Sequence, residues 1–208
     1  MGFVKQGVRL KRDFFQGGTL TIARQLLGQS LIKLETDGSR LSGSIIETEA
    51  YIGMDDLACH ARAGKTPRNA SMWGEPGHAY VYFTYGMHWM LNLVTEEEGF
   101  PAAVLLRALV ARDGLDRMRA RRTGRPDEEL CDGPAKLCQA FVIDRSFDGL
   151  DLCQPDSPLF LEAGLDIPNS AVTQGPRVGL NKVEEPWKSI PWRFYVNSHT
   201  LKTLLKEA

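Results

Sequence analysis

Residues Ile45 to Tyr51 read Ile-Ile-Glu-Thr-Glu-Ala-Tyr, two carboxylates and an aromatic ring at alternate positions behind an apolar pair. As a strand, this run sets Glu47, Glu49 and Tyr51 on one face, because strand side chains alternate with a period of two. Neighbouring acids oppose each other's ionisation, so the arrangement is costly unless solvent, a basic partner or a substrate uses the charge. A carboxylate held in this way can take a proton from water or steady a developing positive charge. Spacing alone leaves open whether Glu47 or Glu49 would be the base.

Three other groups of residues bear on that chemistry. Ala79 to Val94, AYVYFTYGMHWMLNLV, reads as a hairpin of two aromatic-rich strands turning near Tyr85-Gly86-Met87. Aromatic hairpins are ordinarily core. A turn sits at the surface, however, so Tyr85 and Met87 are expected to project as a wedge between stacked bases would. From Arg107 to Arg125 seven arginines face only Asp113 and Asp116, with acids collected at 96–98 and 127–129. A solvated helix face with common ion pairs is the plain reading of such a run. Taken with a His60-bearing loop, these segments fit one task. A flipped nucleotide needs aromatic walls, polar groups reading its edge, a wedge for the vacated stack and cations for the backbone.

Several other chemistries are disfavoured. Ala63-Gly64-Lys65-Thr66 ends like a phosphate-binding loop, but Cys59 stands where its leading glycine belongs and Pro67 opposes the helix that must follow. Neither a G-x-S-x-G elbow nor a G-x-G-x-x-G fingerprint occurs. Cys59, Cys131, Cys138 and Cys153 include no C-x-x-C pair, so no metal site and no cofactor is expected, and reduced thiols are the default. Asn69-Ala70-Ser71 matches a glycosylation acceptor, without consequence when no signal peptide is recognisable. No window is long and apolar enough to span a bilayer, which leads to the expectation of an intracellular protein with no membrane partner.

The 208 residues, 43% hydrophobic and 25% charged, suit one domain over 1–208. Thr19 to Gly28 reads as an amphipathic helix capped by threonine and ended by glycine, and LIKLE alternates as a strand. Ser44 to Ile52 is the acidic strand, followed by a long polar loop up to Gly77, of a length more often functional or mobile. AAVLLRALV gives a further strand, Asp113 can cap a helix through Arg122, and Gly133-Pro134 introduces helical AKLCQAF. VTQGPRVGL and WRFYVN read as later strands. Strands at both ends with helices between them, and no regular βαβ alternation, indicate an α+β fold. Its sheet should be mixed or mainly antiparallel, flanked by helices, with the aromatic hairpin protruding.

Ile46-Glu-Thr-Glu-Ala-Tyr, His60-Ala-Arg, Thr66-Pro-Arg-Asn, Tyr80-Val-Tyr with Tyr85-Gly-Met, Leu105-Leu-Arg-Ala, Gly133-Pro-Ala-Lys-Leu-Cys-Gln-Ala and Arg177-Val-Gly occur in that order. Together they resemble the alkyladenine (3-methyladenine) DNA glycosylase family of mammals and many bacteria, from about Arg9 to Val196. The resemblance implies that Glu49 is the general base activating water for attack on C1′ of a flipped nucleotide. It implies that Arg107 positions that water and carboxylate, with the Val178 carbonyl at the water. Tyr51 and Tyr82 would sandwich the base, His60 would bond near it, and Asn92 would disfavour guanine's exocyclic amine. Tyr85 would intercalate, with Met87 beside it.

Breaking an N-glycosidic bond develops oxocarbenium character on the sugar, which a nearby carboxylate can stabilise while it removes a proton from water. The activity implied is a monofunctional DNA glycosylase of base excision repair, monomeric, acting on double-stranded DNA with damaged purines. Lys65 and Lys136, the lysines nearest the motifs, are expected at phosphates or on the surface rather than as nucleophiles. Non-specific affinity is expected from the Arg107 to Arg125 region and from Arg62, Lys65 and Arg68. A non-catalytic nucleic-acid binding module is the rival reading. His88 departs from the aromatic or apolar residue expected after the wedge.

Overall fold

A computed structural model describes residues 7–207. Eight strands form one sheet: β1 (Ser30–Leu34), β2 (Arg40–Ile52), β3 (Ala79–Thr84), β4 (His88–Val94), β5 (Ala102–Ala111), β6 (Leu159–Glu162), β7 (Thr173–Gly175) and β8 (Arg193–Tyr195). They run in the order β3-β4-β5-β2-β1-β6, and β8 joins β2 and carries β7 on its far side. Every pairing of these strands is antiparallel, so of the two sheets expected from sequence the mainly antiparallel form is the one observed. The α-helices among the described residues are α1 (Arg12–Phe15), α2 (Thr19–Gln25), α3 (Leu115–Arg121), α4 (Pro134–Phe141) and α5 (Ser198–Glu207).

Helices α2 and α4 cover one face of the sheet, α4 lying on β4 and β5 and α2 on β2. Ile22, Ala23, Leu137 and Phe141 enter a buried cluster with Ile45, Ala50, Leu91, Leu93 and Leu106 of the strands. Thr48 Oγ1 donates to the carbonyl of Ala23 at 2.7 Å, so the even-numbered side of β2 is tied to α2. Glu47, Glu49 and Tyr51 therefore face away from the main core, as the period of two required.

Local signals were less accurate at the helix ends. Thr19 does not cap α2; it is the first helical residue, and its backbone N–H and hydroxyl both donate at 2.7 Å to Glu96, which serves as the N-terminal acceptor. Gly28, at φ +86°, ends that helical turn where an added Cβ would collide with the Leu165 carbonyl. Asp113 likewise does not cap α3, which starts after Gly114; its carboxylate accepts from Ser42 and Arg40. The long loop after β2 carries 3₁₀ turns at His60–Ala63 and Ala70–Trp73. Of the later strands only Thr173–Gly175 and Arg193–Tyr195 pair, which leaves Pro176 to Leu180 free to cross the outer face of the sheet.

Candidate active site

Glu49 sits in the middle of β2, and its carboxylate is fully buried. Two donors and a cation hold it: the Val178 backbone N–H at 2.6 Å, the Tyr51 hydroxyl at 2.8 Å, and the Arg107 guanidinium in ion-pair contact at 3.3 Å. Burial still pushes its pKa above the usual carboxylate value, against the pull of Arg107, Val178 N–H and Tyr51. Tyr51 is itself held protonated well above its usual range, by burial first and then by the Glu49 charge, so the phenol remains a donor. A carboxylate with few waters around it and a raised pKa is a stronger proton acceptor than one on a surface.

Glu47 points the same way and is differently served. Its Oε1 accepts from Arg107 Nε at 2.9 Å and from Arg193 at 3.0 Å. Two guanidinium groups therefore neutralise it, and its charge is the smallest of the influences on Glu49. The segment carrying Val178 is held over Glu49 by its neighbour. Arg177 and Asp56 form a fully buried ion pair with contacts of 2.5 and 2.8 Å, and Arg177 also donates to the carbonyls of Ala50 and Trp187. The Tyr51 ring and the Trp192 ring lie 4.7 and 5.1 Å from its guanidinium carbon. One cation thus fixes both an aromatic wall and the N–H that reaches the carboxylate.

Glu49 lies in a cavity of about 350 Å³, large enough for a small ligand. Tyr51, His60, Tyr82, Tyr85, Asn92, Arg107 and Val178 line it as well, so the sequence-predicted chemistry and pocket residues converge on one space. Asn92 is buried and donates its amide to the Tyr80 carbonyl at 3.0 Å, which fixes its side chain. His60 shares a 2.8 Å hydrogen bond with the Tyr80 hydroxyl and meets the Tyr82 ring edge-on at 4.5 Å. The residue keeps an exposed edge at the rim; the apolar walls, then Arg68 and Arg62, push its pKa down to about 4. Its imidazole is neutral at pH 7, with one donor and one acceptor nitrogen. Burial raises the Tyr82 phenol to about 12.

Strands β3 and β4 pair from Ala79 with Leu93 to Thr84 with His88, and the turn between them is strained. Tyr85 has φ 51° and Gly86 φ 68°, and Met87 N–H closes onto the Thr84 carbonyl at 3.2 Å. An aromatic residue at positive φ is rare and costs backbone energy. Tyr85 and Met87 are 82% and 68% exposed, so this tip holds two large apolar side chains out in solvent.

A family model described as methylpurine-DNA glycosylase matches residues 13–200. The chain belongs to that family. Mouse DNA-3-methyladenine glycosylase is 46% identical over 90% of this chain and 59% of its own length. The human protein of the same name is 44% identical over 90% of this chain and 65% of its own. A relative from Chlorobaculum parvum is 42% identical over 91% of this chain and 88% of its own. As a methylpurine-DNA glycosylase family member the chain is a DNA N-glycosylase of base excision repair.

Around the pocket of this glycosylase the expected phosphate contacts are dispersed. Arg62 donates to the Leu57 carbonyl at 2.8 Å and Arg68 to that of Phe83 at 3.1 Å, while Lys65 is exposed. Lys136 pairs with Asp132 at 2.8 Å, one helical turn away. The arginine-rich helix is not an open basic face. Arg117 pairs with Asp37, Arg119 with Asp116 and Asp127, Arg121 with Glu35 and Arg125 with Glu129. Two of these pairs, to Asp37 and Glu35, draw α3 to the β1–β2 turn, at the other end of β2 from Tyr51, and most of the run is ion-paired as its plain reading has it. The thiols are all free, and burial pushes Cys59 up to about 11 and Cys131 up to about 12. No helix of the described residues is long and apolar enough to cross a membrane.

Sequence reasoning missed Asp56, and it saw Arg177 only as part of a motif. Nothing in a polar loop marks one aspartate as buried; a lone Asp and a lone Arg 121 positions apart signal nothing until the fold joins them.

Proposed function

We propose that this chain excises alkylated or deaminated purines, of the 3-methyladenine, hypoxanthine or ethenoadenine type, from double-stranded DNA, with Glu49 as the general base. The observation that carries the reading is the buried Glu49 carboxylate, oriented by Val178, Tyr51 and Arg107 and facing a cavity walled by tyrosines. The base enters between Tyr51 and Tyr82, with His60 and Asn92 at its polar edge and Tyr85, supported by Met87, in the vacated stack. Asn92, fixed by Tyr80, leaves no slack for an added exocyclic amine.

As the N-glycosidic bond stretches, positive charge develops on the sugar, and Glu49 stabilises it while taking a proton from the attacking water. Arg107 and Val178 aim the carboxylate, and the carbonyl of Val178 is the proposed second contact of the water. The products are the free base and an abasic site. No lysine lines the cavity among the described residues, which supports water rather than an amine as nucleophile. Arg62, Lys65, Arg68 and Lys136 are the proposed backbone contacts. We read residues 1–208 as one glycosylase domain working as a monomer inside the cell, without cofactor or metal.

A labelled duplex with one hypoxanthine or ethenoadenine, incubated in EDTA and then treated with alkali, tests the reading. Scission that disappears in Glu49→Gln is expected; scission that survives it removes Glu49 as the base. Binding without scission on any lesion identifies a non-catalytic module, and a complex trapped by borohydride overturns the monofunctional mechanism.

A further inference from the structure

The β3–β4 hairpin has a second cavity on its other face, about 360 Å³ and thus as large as the one over Glu49 at about 350 Å³. Its floor is Phe83 and Trp89, directly opposite each other across the two strands, with ring centroids 4.7 Å apart and planes tilted by 48°. Tyr82 contributes to both cavities, so the two are back to back. Arg68 and Arg145 stand at the rim, both exposed. Neither is ion-paired among the described residues, and Arg68 is steadied by the Phe83 carbonyl and the Tyr82 ring. The one acid present, Asp148, already accepts from Val81 N–H at 2.9 Å.

Core packing accounts for part of this face only. Val81, Leu91 and Leu93 are buried, and Trp89 leans on them. It does not account for Phe83, 43% exposed, or for two unpaired cations beside an open aromatic floor. A floor of π-faces flanked by guanidinium groups is the arrangement that holds a nucleobase by stacking and its phosphates by charge, whatever the base. β3 is an edge strand, but the Ala79 N–H and carbonyl are taken by Leu150 and Gly149, the Val81 N–H by Asp148 and the Phe83 carbonyl by Arg68, which leaves little open edge for a peptide strand; the charge and the flat apolar surface match a polyanion with flat apolar bases.

We propose that this ledge is a second nucleotide subsite, which takes an unstacked base of the bound DNA on Phe83 and Trp89 and its phosphates on Arg68 and Arg145. DNA leaving the Tyr85 tip then meets aromatic surface on both faces of the hairpin, the lesion on one and an undamaged nucleotide on the other. The inference rests on DNA being the substrate of this chain.

The test measures anisotropy of labelled oligothymidylate with the wild-type protein, Phe83→Ser and Arg145→Ala across a salt series. Single-turnover excision of hypoxanthine from a duplex at saturating protein, and melting curves, run beside it. Loss of one stacked base corresponds to roughly ten-fold weaker binding in Phe83→Ser. Arg145→Ala should flatten the slope of log affinity against log salt by about 0.7, the value for one phosphate of a single strand. Arg145→Ala should melt like the wild type and Phe83→Ser a few degrees lower, having lost its ring contact with Trp89, and both should keep the saturated excision rate. Oligothymidylate affinity that is absent in the wild type, or unchanged in Phe83→Ser, reduces the ledge to the edge of the core and leaves the glycosylase reading intact. Wild-type protein that excises nothing, yet loses oligothymidylate on Phe83→Ser, upholds the subsite and sinks the excision reading.

Discussion

Arg177→Met separates what the buried pair does for the fold from what it does for Glu49. Both partners are fully buried, and removal of the guanidinium leaves the Asp56 carboxylate with only the N–H groups of Ala58 at 3.0 Å and Ile52 at 3.3 Å. An uncompensated buried charge of this kind costs about 3–5 kcal/mol. A chain of 208 residues unfolds with an entropy of roughly 0.44 kcal/mol per kelvin, so a loss of about 4 kcal/mol lowers the melting temperature by about 9 °C. Asp56→Asn in the same protein removes the stranded charge and should return most of that loss.

Activity should not return with it. A thioether in place of the guanidinium offers no donor to the Ala50 and Trp187 carbonyls and no cation to the Tyr51 and Trp192 rings, so the Val178 N–H loses its aim at Glu49. That N–H is one of the groups that lower the Glu49 pKa; without it the pKa climbs further, and the acid limb of the single-turnover excision profile moves to higher pH. A merely structural pair moves the melting curve and leaves the limb in place. A melting change under about 2 °C in the single variant would refute the stability argument, and a double variant with the wild-type rate and limb would refute the positioning argument.

Three further outcomes follow from named contacts. In Glu49→Gln, excision should vanish while stability at pH 7 rises: a folded pKa above the unfolded one, about 4.3, means that stability is lost as pH rises through that window, and Gln escapes the loss. The difference in melting temperature should shrink toward pH 4; a constant difference contradicts it. Tyr85→Asn, which tolerates positive φ, should gain about 1 kcal/mol, or about 2 °C, while lesion-duplex affinity falls; equal affinity removes Tyr85 from the wedge. With His60 titrating at about 4, lesion binding at constant salt should be flat from pH 6 to 8, and an inflection near 6.5 that disappears in His60→Gln would show that the ring is charged in the free protein.

The acidic strand, the aromatic strands and helix α4 were legible because each rests on local information: period two, turn residues at Tyr85-Gly86, and Pro134 at a first helical position. The residues of the pocket followed from ordered motifs. What could not be seen from sequence depends on partners far apart in the chain. Glu96 satisfies the start of α2 from 77 residues away, which no capping rule in sequence anticipates. The local partners of the arginine run, among 116–129, could be read from sequence, but those of Arg117 and Arg121, Asp37 and Glu35, lie in another hairpin and could not. The cavity behind Phe83 is invisible in sequence for the same reason: Arg68 and Arg145 come from separate loops.

Two acids, two positions apart and alike in sequence, are set apart by a dislocation in the sheet. Ile45 pairs with Leu109 and Thr48 with Leu106, but between them Glu47 pairs with Ala108, so Ile46 and Arg107 each stand without a partner across the ladder. At the same point β2 changes neighbours, from β1 up to Ser44 to β8 from Glu47 onward. A bulge re-aims a side chain and sharpens the local twist. Here it turns Arg107 toward both acids from one edge, while β8 brings Arg193 to Glu47 from the other. Glu47 receives two guanidinium groups and is spent in binding them. Glu49, with one guanidinium, one N–H and one phenol, is held in place but left with a raised pKa at the floor of an open cavity. Two like residues with two environments suit two roles.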